Sequence, residues 1–357
     1  MDRILVIQLR ELGDTLLITP LIRQLKDLYP QSQIDVLCEP RNDVILRENR
    51  RITERIHLKR RANAREFLGV VARLRANRYD WVIEAQGLPK TAILARLTGA
   101  PRRVGFVRRK LLAHACFTET CSTSGPPRYA PIYNLGLLKD ERVDLEDLDI
   151  DFPISDEEWS EAERFCAAHF RRPVAAMFFV SRFSYRIWPA EKFVAVGNRF
   201  IDRGFQLFIV HGPGEEEASK AIASKLKAEP IVGYPKMSLP VLKGVLENCS
   251  IFVGNDSGPK HIATAAGLPT VAPFGLNHPN YWTHPDASRH RFVSIRSEAR
   301  EIPTIGRCTN AHEISEITVD EVWAHVEELL EAERLRSYGG GRPTIPIDAY
   351  RPIRVAA

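Results

Sequence analysis

The stretch "FVGNDSGPKHIATAAGLPTVAPFG", Phe252 to Gly275, carries the reading of the fold. Ser250–Gly254 reads as a buried strand, and Pro259 suits the first turn of a helix. Gly267, ahead of Leu268 and Pro269, suits that helix's end, and Thr270–Phe274 reads as the next strand. A strand, loop, helix, strand unit of this kind aims backbone N–H groups and a positive helix end outward at the top of a sheet. That is a ready anion site. Asp256, Ser257, Gly258 and His261 stand at its mouth.

The same alternation extends outward along the chain. "RILVIQL", "QIDVLC" and "YDWVIEA" read as strands, separated by the amphipathic patterns "PLIRQLKDLY" and "REFLGVVARLRANR". An acidic stretch with a proline, "DLEDLDIDFPISDEEWSEAERF" from Asp144, interrupts the pattern. It then restarts as "VAAMFFV", "PAEKFVAVGNRFIDRG", "FQLFIVHG" and "EEEASKAIASKL", and a last helix pattern runs from Thr318 to Arg336. Such alternation calls for parallel sheets covered on both faces. The expectation is an α/β chain of two doubly wound, Rossmann-like domains, residues 1–155 and 156–336, facing across a cleft. A loosely held glycine- and proline-rich tail, 337–357, follows. Ligands in such folds sit at the carboxyl ends of the strands.

A chain of 357 residues, 44% hydrophobic, is long enough for two cores. No apolar run reaches the ~18 residues of a membrane span. The apolar N-terminus "MDRILVIQLRELGD" reads as a first strand, not a signal peptide, so a cytoplasmic protein is expected. Six scattered cysteines without a C-x-x-C argue for reduced thiols and against a zinc site. The net charge of +5 hides an asymmetry: Arg41–Lys110 carries 19 Lys or Arg against 6 Asp or Glu, a local +13. A solvated helix face explains any one cluster, but two clusters in one half of the chain point to an anionic partner. Aromatics are sparse among these arginines and no nucleic-acid motif occurs, so nucleic acid is not the expected partner.

Neither G-x-G-x-x-G nor G-x-x-x-x-G-K-[ST] is present, and Ser257 lacks a G-x-S-x-G setting. Dehydrogenase, phosphate-loop ATPase and hydrolase readings are disfavoured. "DLDID" at Asp147 has a spacing that could hold a metal, but its alternation with Leu148 and Ile150 favours an edge strand.

"LRELGDTLLITPLIRQLKDLYPQSQIDVL" (from Leu9), "YDWVIEAQGLPKTAILARLTGAPRRVGF" (from Tyr79), "RIWP" (from Arg186) and "VGNDSGPKHIATAAGLPTVAPFG" (from Val253) fall in order. Together they resemble the ADP-heptose:lipopolysaccharide heptosyltransferase family, glycosyltransferase family 9, over nearly the whole chain to about residue 330. The resemblance implies a GT-B architecture, with a nucleotide-sugar donor held by the C-terminal half and an acceptor held by the N-terminal half. It also implies metal-independent transfer with inversion, no cofactor, and an anionic lipopolysaccharide-core acceptor at the cytoplasmic membrane face. The +13 stretch suits that acceptor and anionic lipid, with Arg60 and Arg61 as candidates.

Inverting transfer needs a base for the acceptor hydroxyl, and a carboxylate in the loop after the first strand can serve. The family motif places it at Asp14, beside Gly13; the structural alternative is that Asp14 caps the following helix. The departing diphosphate needs cations or N–H donors. Arg186 stands where the family usually has lysine, and Val180 where it often has glycine. Trp188 and Pro189 are expected to pin that loop to the core. Ser257, Gly258 and His261 suit the diphosphate, whereas Asp256 is expected to accept from sugar hydroxyls or the loop backbone. Glu215 resembles the family's ribose contact, with Glu216 and Glu217 adjacent. Two alternatives stay open: another nucleotide sugar on the same fold, or a non-catalytic binding module.

Overall fold

The computed structural model describes residues 3–107, 110–140, 142–181, 183–232, 237–275, 277–295 and 313–338. The chain divides into two compact units between Pro153 and Ile154.

The first unit holds strands β1 (Arg3–Gln8), β2 (Gln33–Cys38), β3 (Glu54–His57), β4 (Trp81–Glu84), β5 (Arg102–Phe106) and β6 (Glu119–Cys121). All pair in parallel in the order β3-β2-β1-β4-β5-β6. The second unit holds β7 (Val174–Phe178), β8 (Gln206–Val210), β9 (Ile231–Val232), β10 (Ile251–Gly254), β11 (Thr270–Phe274) and β12 (His290–Ser294). These are parallel as well, in the order β12-β11-β10-β7-β8-β9. Counted from its own first strand, each unit therefore has the order 3-2-1-4-5-6. The strand order reverses between β1 and β4 in one unit and between β7 and β10 in the other. Loops at such switch points part in opposite directions and leave a crevice for a ligand.

Central strands buried on both faces explain the unbroken apolar runs. Ile4–Ile7, Val174–Met177 and Ile251–Val253 are fully buried. The helices start where their caps dictate. Asn63 and Glu66 exchange capping bonds ahead of Ala64–Ala76, at 2.9 and 3.0 Å. Ser155 and Glu158 do the same ahead of Asp156–His169. Each box satisfies two otherwise orphaned N–H groups. The last helix, Val319–Tyr338, drives Val322, Trp323, Val326 and Leu329 into the second core beside Phe193 and Phe200. The tail expected over 337–357 lies almost wholly outside the described residues.

Two expectations need correction. "DLDID" is not an edge strand: no strand is found there. Leu148 and Ile150 are buried, but the backbone bonds to side chains of the Thr19–Leu28 helix. Arg23 donates to Asp149 O, Gln24 to Asp144 O and Asp147 O, and Thr19 Oγ1 accepts from Asp151 N. The Asp147 and Asp151 carboxylates both pair with Arg23 at 2.7 Å. The second correction concerns "PRRVGF", whose arginines sit on a strand, not a solvated helix face. Arg102 pairs with Glu119, and Arg103 bonds Ala100 O and Cys116 O.

Candidate active site

In the first unit the loop after β1 is held by side chains from both neighbouring strands' loops. Gln86, after β4, accepts from Leu9 N at 2.7 Å, and Asn42, after β2, donates to Arg10 O at 2.7 Å. Asn42 also donates to Thr15 Oγ1 at 2.9 Å. Buried Glu84 turns the β4 loop by accepting from Gln86 N and Gly87 N, and Gly87 takes the left-handed conformation there (φ 70°). The loop leads into a short helix, Leu12–Leu16, whose N-cap is Glu11. Gly13 and Asp14 lie in its first turn, so Asp14 does not occupy the N-cap. Its carboxylate is about one-fifth exposed and 3.8 Å from the Arg10 guanidinium.

Glu11 gathers two of the basic region's cations at this sheet end. Arg41, after β2, and Arg60, after β3, each meet its carboxylate at 2.7 Å. Lys90 donates to Arg60 O at 2.9 Å. Arg60 is thereby tied to the turn that carries Asp14, while exposed Arg61 is not part of this set. The donor atoms of Cys38, Asp43 and His57 lie within 4.8 Å of one another. Arg55 and His57 already share Asp43 Oδ1 at 2.8 Å, and burial pushes the Cys38 thiol up to about 12. The guanidinium closes this trio, and no chemistry is assigned to it.

In the second unit the candidate residues follow β7 and β10, the two neighbours at the switch point. Asn255 joins the loops: its amide donates to Phe179 O at 2.8 Å and its Oδ1 accepts from Trp188 N at 3.0 Å. Trp188 is fully buried and donates Nε1–H to Ile317 O, and Pro189 is the N-cap of Ala190–Asp202. Both hold the loop, as expected of them. Val180, in the glycine-prone position, packs against the core.

Arg186 ends a single 3-10 turn in this loop, beside the rings of Phe183 and Tyr185 at 5.2 and 5.6 Å. One of its terminal nitrogens lies 3.7 Å from Asp256 Oδ2 and donates to Asp256 O at 3.4 Å. Among the described residues, the Asp256 carboxylate is met by side chains and not by the loop backbone, one of the two kinds of partner expected for it. Lys260 Nζ meets Oδ1 at 2.8 Å, and Asn277 donates to Oδ2 at 2.9 Å. Four residues apart at a helix start, Asp256 and Lys260 face one another. Burial pushes the Asp256 carboxyl up, but the Lys260 ammonium and then the Arg186 guanidinium outweigh it and hold it down at about 2.

Ser257 is the N-cap of the Gly258–Ala265 helix, with Gly258 and Pro259 following. His261 sits in the first turns of this helix, buried, with Nδ1 lacking a hydrogen-bond partner among the described residues. Burial, then Lys260 and Arg186, press its imidazole down to about 3. It is therefore neutral at physiological pH and can meet a ligand as a hydrogen-bonding imidazole, not as a cation. Glu215 folds back on its own loop, accepting from Gly212 N at 2.5 Å, while Glu217 pairs with Lys220. Arg186, Asp256, Ser257, Gly258 and His261 thus form one cluster, and Glu215 follows the adjoining strand β8 as the N-cap of Glu216–Ala223. Lys260 went unnoticed in the sequence; its only signal was the four-residue spacing from Asp256.

Two parallel, doubly wound units, one bearing cations and helix N–H donors at its switch point, are the parts of a GT-B glycosyltransferase. The sequence profile of glycosyltransferase family 9 (heptosyltransferase) matches residues 68–312. The chain belongs to that family. Lipopolysaccharide heptosyltransferase 3 of Escherichia coli is 28% identical over 333 residues, covering 89% of this chain and 96% of the relative. The crystal structure of a family 9 glycosyl transferase from Veillonella parvula superposes with a TM-score of 0.83 at 24% identity, covering 93% of this chain and 98% of that one. E. coli ADP-heptose lps heptosyltransferase II superposes with a TM-score of 0.73 at 22% identity, covering 94% and 100%. At these identities the two superpositions speak for the fold alone.

Proposed function

We propose that this protein transfers a heptose from ADP-heptose to a lipopolysaccharide-core acceptor, with inversion and without a metal. Asp14 acts as the base, taking the acceptor hydroxyl's proton as that oxygen attacks the anomeric carbon. The bond from that carbon to the diphosphate oxygen breaks, and the charge left on ADP meets Arg186 and the N–H groups at Ser257 and Gly258. Glu215 receives the ribose hydroxyls, and Asp256 lies beside the sugar. Arg60 and Arg61 receive the anionic acceptor at the cytoplasmic membrane face, with peripheral contact to anionic lipid. No helix among the described residues is long and apolar enough to cross a membrane.

The observation that supports this reading best is the Arg186–Asp256–His261 cluster at the start of the Gly258–Ala265 helix. Membership of a heptosyltransferase family, and a relative named as a lipopolysaccharide heptosyltransferase, support heptose as the sugar. The test is to incubate the protein with a panel of nucleotide sugars and a heptose-bearing core acceptor, with a chelator present. ADP release coupled to acceptor extension is expected with ADP-heptose. Extension by another sugar alone, or dependence on added metal, would contradict the reading.

A further inference from the structure

Lys260 is an unusual residue to find with 1% exposure. Its ammonium touches Asp256 at 2.8 Å and lies 4.5 Å from the centre of the Phe274 ring. Asp256 in turn lies 3.7 Å from Arg186. Among the described residues, the charged groups facing Asp256 are Lys260 and Arg186; His261 faces it as a neutral ring, and Asn277 donates a neutral hydrogen bond. His290, which faces Lys260, is held neutral by burial first, and then by His284 and Arg289. With two cations and one carboxylate, the cluster carries a net charge of +1. Without Lys260, the carboxylate would cancel the guanidinium.

We propose that Lys260 is a positioning residue that neutralises Asp256 and so leaves the charge of Arg186 available to the donor's diphosphate. This rests on the donor-site reading above and adds a residue to it. A buried ion pair contributes little net stability, because desolvation offsets the attraction. Its consequence falls instead on the charge that an incoming anion meets. The pair also fixes Asp256, whose carbonyl accepts from Arg186 and holds one end of the guanidinium.

The probes are ADP and adenosine, with affinities measured by calorimetry at neutral pH and low salt. Parent protein should prefer ADP. In Lys260→Met that preference should fall by roughly tenfold, the scale of one lost contact to a charged group. Lys260→Gln keeps a hydrogen bond to Asp256 without the charge, and should show the same fall should the methionine variant not fold. Asp256→Asn/Lys260→Met restores the net charge and should recover the preference. An unchanged ADP preference in a folded Lys260 variant would overturn the inference, whatever happens to thermal stability. Failure of the double variant to recover would do the same. A parent protein that binds ADP no better than adenosine would overturn the donor-site reading, and this inference with it.

Discussion

Trp188 donates its backbone N–H to the Asn255 side chain at 3.0 Å, linking the loops of the two strands that flank the switch point. Asn255 is fully buried and also serves Phe179 O. Asn255→Leu should leave both backbone groups without a partner, at a cost of roughly 2–4 kcal/mol. Chemical denaturation should show that loss, with ADP affinity falling alongside it. A stability within 0.5 kcal/mol of parent, on the order of a neutral surface change, would mean the loops do not depend on this link.

Arg186→Ala should lower turnover by about 10²-fold or more, the scale of a lost donor to a developing oxyanion. Arg186→Lys should recover part of the rate, since charge is retained while the planar fork is lost. Turnover near the parent value in a folded alanine variant would remove Arg186 from the mechanism.

Strands were legible because burial on both sheet faces writes continuous apolar runs, and helices because one buried face writes an amphipathic pattern. The strand, loop, helix unit at Phe252–Gly275 was legible because Pro259 and Gly267 mark a helix start and end within one short stretch. "DLDID" misled because its alternation reflects real burial of Leu148 and Ile150. Yet its hydrogen-bond partners are Arg23 and Gln24, more than a hundred residues away. Lys260 was missed because a lysine near a helix start normally reaches solvent. Nothing local separates Arg60 from Arg61, since the difference is Glu11, 49 residues from Arg60.

That difference makes a prediction for the acceptor side. Arg60→Glu places a second carboxylate against Glu11 and should raise the acceptor KM several-fold more than Arg61→Glu does. Affinity for ADP should stay unchanged in both. Steady-state kinetics with varied acceptor decide it; equal effects of the two substitutions would show that only bulk charge matters.

His261 and His290 are both held near 3, His261 by burial, Lys260 and Arg186, and His290 by burial, His284 and Arg289. A histidine with a folded pKa below its unfolded value leaves the unfolded state holding more protons in between. Stability from these two groups is therefore complete above the usual histidine range, about 6.5, and is lost as pH falls toward 3. Thermal melts between pH 7 and pH 5 should decline, and His261→Gln should shallow that decline. An unaltered slope would show that His261 is not held neutral in the folded protein.

The central claim is that Asp14 is the base, and Asp14→Asn tests it most directly. Glu11 holds the N-cap of the Leu12–Leu16 helix, so the substitution spares the cap; it removes a favourable first-turn charge, worth roughly 0.3–1 kcal/mol, and the ion pair with Arg10. Asparagine cannot accept the acceptor's proton. The measurement is single-turnover transfer with donor and acceptor saturating, beside a thermal melt and an ADP titration. The account predicts a transfer rate lower by roughly 10²–10⁴-fold, with folding and ADP affinity retained. Transfer by Asp14→Asn at close to the parent rate would contradict it.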